Sequence, residues 1–142
     1  MTYPRSPKTL VGGLAHLGRL IDKIRLRHAG HIQDYNYLTV GFDKYLLEFL
    51  NVNGQELEQR VLQGGTDEEI LSWITSRGRQ FSADEIRTWN DRILAGGPKD
   101  EAARQRFQAR LKDIATQRGV PVNLLPHVNT WADVIELDEG RL

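Results

Sequence analysis

The sequence predicts an all-α protein, a compact orthogonal bundle of about six helices plus a short C-terminal helix. Three observations carry this expectation. Asn53, Thr66 and Ser82 are each followed three residues later by a glutamate, at Glu56, Glu69 and Glu85. In that capping-box pattern the first side chain accepts from the amide three residues on, and the glutamate reaches back. Glycines at 30, 64–65, 78, 96–97 and 119 each close a periodic stretch, where a positive φ is cheapest for glycine. The two strand-like runs, YNYLTV at 35–40 and VPVNLL at 120–125, are too short for more than a marginal ribbon.

The elements follow in chain order. The first nine residues hold Pro4 and Pro7 and read as an extended arm. A first helix is expected over 13–29, because Leu14, Leu17, Leu20, Ile21 and Ile24 fill one arc of about 120° at helical spacing. Gly18, just outside that arc, costs a helix about 0.5–1 kcal/mol against alanine, so it is read as a point where another backbone comes close. Asp43 is read as the cap of a second helix over 43–50, whose Tyr45, Leu46 and Phe49 face inward. Helices at 54–63, 67–77 and 83–95 follow from their caps. The sixth, 99–118, follows Pro98, whose missing amide matters little there, and its Phe107, Leu111 and Ile114 form a narrow seam. Residues 119–130, with Pro121 and Pro126, read as an extended segment crossing the bundle. A weaker cap, Thr130 with Asp133, opens a last helix near 131–136. No linker interrupts the chain, so residues 1–142 are expected to form a single domain.

One internal repeat is visible. TDEEILSW (66–73) and SADEIRTW (82–89) share a pattern at an offset of 16, placing Ile70 with Trp73, and Ile86 with Trp89, on one helix face each. Trp73, Trp89 and Trp131 are therefore read as structural.

The composition narrows the function. There is no cysteine, which excludes disulfides, thiol catalysis and thiolate metal sites and fits a reducing, cytoplasmic setting. No apolar run approaches the ~18 residues of a spanning helix, and the N-terminus lacks an apolar signal core. Lys+Arg and Asp+Glu are equal at 19 each, which removes the simplest argument for nucleic-acid or membrane binding. The balance holds only on average: residues 1–31 carry six basic side chains against Asp22, and residues 32–71 carry eight acidic ones against Lys44 and Arg60. Such segments favour internal docking or self-association.

Site signatures are scarce. The dinucleotide, P-loop, zincin, serine-elbow and EF-hand patterns are all missing. His28, His31 and Asp34 could be drawn as a metal triad, but Gly30 ends the helix inside it, and neither metal nor cofactor is expected. A helix-turn-helix reading of 66–95 would use Arg77, Arg79, Arg87 and Arg92, yet Asp84 and Glu85 open its second helix and would face phosphates. The one polar constellation is on the first helix, where Arg19 and Arg25 each lie three residues from Asp22, beside Lys23. Two guanidinium groups around one carboxylate suit an anion or a partner's carboxylate. If the segment 31–49 folds back, Tyr35 and Tyr37 join them.

SPKTLVGGLAHLGRLIDKIR (6–25), Tyr37 with Gly41, Phe42 and Asp43, TDEEILSWI (66–74), FSADEIRTWN (81–90) and NTWADVIELDEGR (129–141) resemble the bacterial family catalogued as domain of unknown function 5069. The likeness runs over essentially the whole chain and is most specific at LGRLIDK (17–23) and in the 131–141 tail. It implies a small, largely helical domain and supplies no activity, cofactor or catalytic residue. Members often carry a Cys-Pro pair before the aspartate corresponding to Asp43, where this chain reads LTVGFD.

Two functions remain as expectations. The first is a non-enzymatic helical binding or scaffold protein, with a protein partner or a second copy of itself. The second is a small anionic-ligand-binding domain or weak enzyme in which Arg19, Asp22, Lys23 and Arg25 hold the anion, and Lys23, Tyr35 or Tyr37 moves a proton. The tail 131–141 is expected to dock its apolar face on the core, with Asp138 or Glu139 near Arg19 or Arg25.

Overall fold

The computed structural model describes residues 2–142; Met1, the first residue of the expected arm, lies outside them. The described residues are all-α: α1 (Leu17–His28), α2 (Gly41–Leu50), α3 (Gly54–Leu62), α4 (Asp67–Arg77), α5 (Ala83–Ala95), α6 (Glu101–Arg118), a 3-10 turn at Val122–Leu124, and α7 (Trp131–Asp138). The expected caps form. Asn53 accepts from the Glu56 amide, Thr66 and Glu69 close a reciprocal box, Ser82 and Glu85 do the same, and Thr130 accepts from Asp133. Asp100, two residues after Pro98, caps α6 by accepting from the Ala103 amide.

Two compact units emerge, one ending at Asn90 and the other running from Asp91 to Leu142. Each is neutral: eleven basic residues meet eleven acidic ones in the first, and eight meet eight in the second.

The first unit is built around α1. Its Leu17, Leu20, Ile21 and Ile24, with Leu14 just ahead, are fully shielded from solvent, and α1 packs on α3, which packs on α4. α1 begins at Leu17, not at residue 13. Gly12 and Gly13 both take positive φ, 59° and 80°, and Val11 and Leu14 exchange backbone hydrogen bonds of 3.1 and 2.9 Å. That is a tight two-residue turn, which a pair of left-handed glycines favours over continuing a helix. A Cβ at Gly12 would lie 2.3 Å from the Leu71 side chain. At Gly18 the close neighbours are the side chains of Val11 and Arg5, 3.1 and 3.2 Å from where a Cβ would sit, not another backbone.

Residues 2–10 carry no helix, yet Pro4, Ser6 and Pro7 are buried, and the His16 amide donates to Pro7 O at 2.9 Å. The arm is packed down and is not extended throughout: it turns over residues 7–9, where the Thr9 amide donates to Ser6 O at 3.1 Å. The tryptophan repeat is not used symmetrically. Trp89 is buried and its Nε1 donates to Ala15 O at 2.9 Å, while the Asn90 side chain accepts from the Ala15 amide and donates to Gly13 O, both at 2.8 Å. Trp73 is only half-buried, under the Arg77 guanidinium, and Ile86 is half-buried as well. The turn that Trp89 and Asn90 grip explains the difference; Trp73 has no such duty.

In the second unit the α6 seam of Phe107, Leu111 and Ile114 joins Val128, Val134 and Leu137 in one cluster, with Leu125 and Trp131 packed against it. Trp131 meets Phe107 edge-on at 5.1 Å. The segment 119–130 is not extended throughout: Gly119 closes α6 at φ 69°, and the 3-10 turn follows, leaving Leu124 69% exposed. The tail's acidic side chains find partners in their own unit. Asp138 accepts from Arg110 at 2.7 Å, and Glu139 accepts from Arg141 at 2.8 Å.

Candidate functional site

The polar face of α1 departs furthest from its sequence pattern. Arg19 and Lys23 are only 4% and 5% exposed, although helical spacing puts them on the side opposite the apolar arc. Two groups of residues account for this, one from the arm and one from α2.

The arm supplies Arg5. Its backbone amide, Nε and Nη2 all donate to the Asp22 carboxylate at 2.9–3.2 Å. The outer edge of the same guanidinium donates to both oxygens of Asp67, the first residue of α4, at 2.7 and 3.0 Å. A planar five-donor fork is suited to bridging two carboxylates in this way. The hydrogen bond to Asp67 is the main reason the Arg5 guanidinium is held even more firmly protonated than usual, and the same bond holds the Asp67 carboxyl below its ordinary value. Asp22 therefore orients Arg5, not Arg19 and Arg25. Arg25 reaches away to Gly65 O at 3.0 Å. Arg19 donates to Arg5 O at 3.3 Å and lies 5.8 Å from the centre of the Tyr35 ring.

α2 supplies Asp43. It does not cap the helix: Val40 is the N-cap residue and makes no side-chain bond. Asp43 is instead turned inward and almost wholly buried. His16 Nε2 lies 2.6 Å from Oδ1, Lys23 Nζ donates to both oxygens at 3.1 Å, and the Leu38 amide donates to Oδ2 at 3.0 Å. Burial pushes the Asp43 carboxyl up, but the His16 hydrogen bond and the Lys23 charge outweigh it and hold the group below its ordinary value. An ionised carboxylate only accepts, so Nε2 carries the proton that His16 shares with it. Burial lowers the His16 imidazole below its ordinary value more than Asp43 raises it, with Lys23 and Arg19 adding to the fall. His16 is thus a neutral donor in the core.

A third group surrounds Tyr37. Its hydroxyl donates to Glu58 on α3, His28 Nε2 lies 3.1 Å from the same oxygen, and the Arg27 guanidinium stacks 4.4 Å from the ring centre. Burial first, then Glu58, pushes the Tyr37 phenol above its ordinary value. That is the wrong direction for a proton-transfer role at neutral pH.

Of the residues singled out from the sequence, the structure joins Lys23 to Asp43 and brings Arg19 near Tyr35. Asp22, Arg25 and Tyr37 go elsewhere. His16 and Arg5 were missed. His16 lies seven residues before Lys23, two helical turns, which is the signal that could have paired them. Arg5 sits between prolines with no local pattern to expose it. The α4–α5 arginines are engaged too: Arg77 with Glu56, Arg79 with Glu85 and Phe49 O, and Arg87 with Asp84. A surface hollow of about 380 Å³ lies at the end of α2, lined by Lys44, Leu47, Glu48, Asn51, Val52 and Asn53, and contains none of the expected site residues. Among the described residues no helix is long and apolar enough to cross a membrane.

Residues 1–141 match the model of a family described as "Domain of unknown function (DUF5069)". None of the curated proteins matches the chain.

Proposed function

The chain belongs to this family, and we propose that it is a non-enzymatic helical binding or scaffold protein. The observation that carries the reading is the internal pairing of opposite charges in the first unit. Arg5 is tied to Asp22 and Asp67, Lys23 to Asp43, and His28 to Glu58. The basic 1–31 stretch and the acidic 32–71 stretch thereby satisfy each other, and groups that an anionic substrate would need are already engaged by protein acceptors. The exposed apolar side chains of the same unit, Leu10, Val40 and Leu62, each about half accessible at 50%, 45% and 46%, offer contact area without chemistry.

Two measurements on the full chain test the reading together. Light scattering after size exclusion, with cross-linking at micromolar concentration, tests the version in which the partner is a second copy; a 16.2 kDa species at low and moderate salt overturns that version. A thermal-shift screen with inorganic phosphate, nucleotides and dicarboxylates tests the alternative, an anion site built on Arg19, Lys23 and Arg25. A ligand at 100 times its Kd stabilises by about 2.7 kcal/mol, an unmistakable rise in Tm. The expected result is no rise with any of them. A rise that Arg19→Ala abolishes overturns the binding-protein reading in favour of a small-ligand domain.

A further inference from the structure

Asp43 is held by three stretches of chain that are separate in sequence. His16 comes from the turn before α1, Lys23 from α1 itself, and the Leu38 amide from the segment 29–40 that joins α1 to α2. That segment is conformationally constrained. Ile32 and Leu38 take left-handed φ of 51° and 56°, a region that bulky L side chains enter only when their surroundings force it. The bond from Leu38 N to Asp43 is one such force, at the end of the segment nearest α2.

The chemistry of His16 makes this clasp conditional. The imidazole is 1% exposed, its Nε2 is committed to Asp43, and its Nδ1 is buried with no hydrogen-bond partner. From α1 it faces Arg19 and Lys23, and from α2 it faces Asp43 and the edge of the Phe42 ring at 5.5 Å. The segment itself contributes Tyr37, which senses the Asp43 charge as a neutral phenol. A second proton would go to Nδ1. It would bury a donor without an acceptor and set a further cation beside Lys23 and Arg19.

We infer that His16 is an acid-operated latch: neutral, it locks segment 29–40 down through Asp43; protonated, it releases the segment. The proposal stands apart from the binding-protein reading, since a latch of this kind could regulate any partner or none.

Amide hydrogen exchange on the full chain, followed by NMR between pH 7.5 and 5.0 and corrected for intrinsic exchange, tests it. Opening at Leu38 and Tyr35 should increase as pH falls, by up to about tenfold per unit for a one-proton event. Val61 in α3 and Ile74 in α4 should keep their protection. His16→Gln retains a donor at the Nε2 position and removes the titration, so it should abolish the dependence; His28→Gln, which alters only the Glu58 contact, should leave it intact. The wild-type chain decides alone if His16→Gln does not fold, because closed-state His16 must then keep its neutral-imidazole ring nitrogen shifts over the pH interval in which opening at Leu38 rises. A pH-independent opening overturns the latch. So does a dependence that survives His16→Gln, one lost in His28→Gln, one shared equally by Val61 and Ile74, or a His16 that protonates while Leu38 keeps its protection.

Discussion

His16 and Asp43 stand 27 positions apart in the chain, yet Nε2 of one lies 2.6 Å from Oδ1 of the other, with both side chains shut off from solvent. The stability of the first unit should follow the protonation of this pair. His16 has a native value below its ordinary 6.5. Above 6.5 the folded and unfolded chains both hold it neutral. Below it, the unfolded chain takes up a proton that the native state refuses, so stability falls. Asp43 has a native value below its ordinary 3.8; its contribution is present above 3.8 and is lost as pH drops through the native value. Urea midpoints should therefore fall from pH 6.5 toward pH 5, and fall again below pH 4. His16→Gln should flatten the first decline and leave the second. A midpoint that rises on acidification contradicts the neutral assignment of His16.

Arg5→Lys should destabilise the chain although it preserves the charge. A lysine can meet one carboxylate but cannot bridge Asp22 and Asp67 with one planar fork. Both partners are partly exposed, so the loss is set at about 1 kcal/mol. A denaturation curve unchanged from wild type would mean that charge alone matters at this position.

The two halves of the tryptophan repeat should respond unequally. Trp89→Phe removes the donor to Ala15 O inside the core, at a cost of about 1–3 kcal/mol. Trp73→Phe, at a half-buried site under Arg77, should stay within about 0.5 kcal/mol. Chemical denaturation of both variants gives the comparison directly. Equal losses would contradict the asymmetry.

In the second unit, packing should dominate over charge. Leu137 is completely buried, so Leu137→Ala should cost about 2–5 kcal/mol. Asp138→Ala breaks a pair with the 43% exposed Arg110 side chain and should cost less than about 1 kcal/mol. Trp131, half-buried against Phe107, should fall between them. Thermal melts of the three variants test the order.

Local rules made most of the helices legible, and failed where distant chain segments decide. The caps at Asn53, Thr66 and Ser82 and the stops at Gly78 and Gly119 depend on residues a turn away, so helix ends from α3 to α6 fall within two residues of their expected positions. Gly12 and Gly13 could be read as a helix start only because the turn they make depends on Trp89 and Asn90, some seventy-five residues downstream. Asp43 has a capping residue's place in the sequence. Nothing nearby shows that His16 and Lys23 claim it first. The α1 cluster was misassembled for the same reason. Helical spacing correctly puts Asp22 one turn from Arg19 and Arg25, but Arg5 takes the carboxylate, and no pattern around Pro4 and Pro7 marks it.

The most direct test is a double-mutant cycle on the buried ion pair of Lys23 and Asp43. Lys23→Met alone leaves a carboxylate in the core, and Asp43→Leu alone leaves an ammonium there; each should cost about 3–5 kcal/mol. The double variant removes both charges and should be at least as stable as either single one, giving a large favourable coupling. If the two losses simply add, Asp43 is not the counterion of Lys23, and the internal pairing on which the reading of this chain rests is wrong.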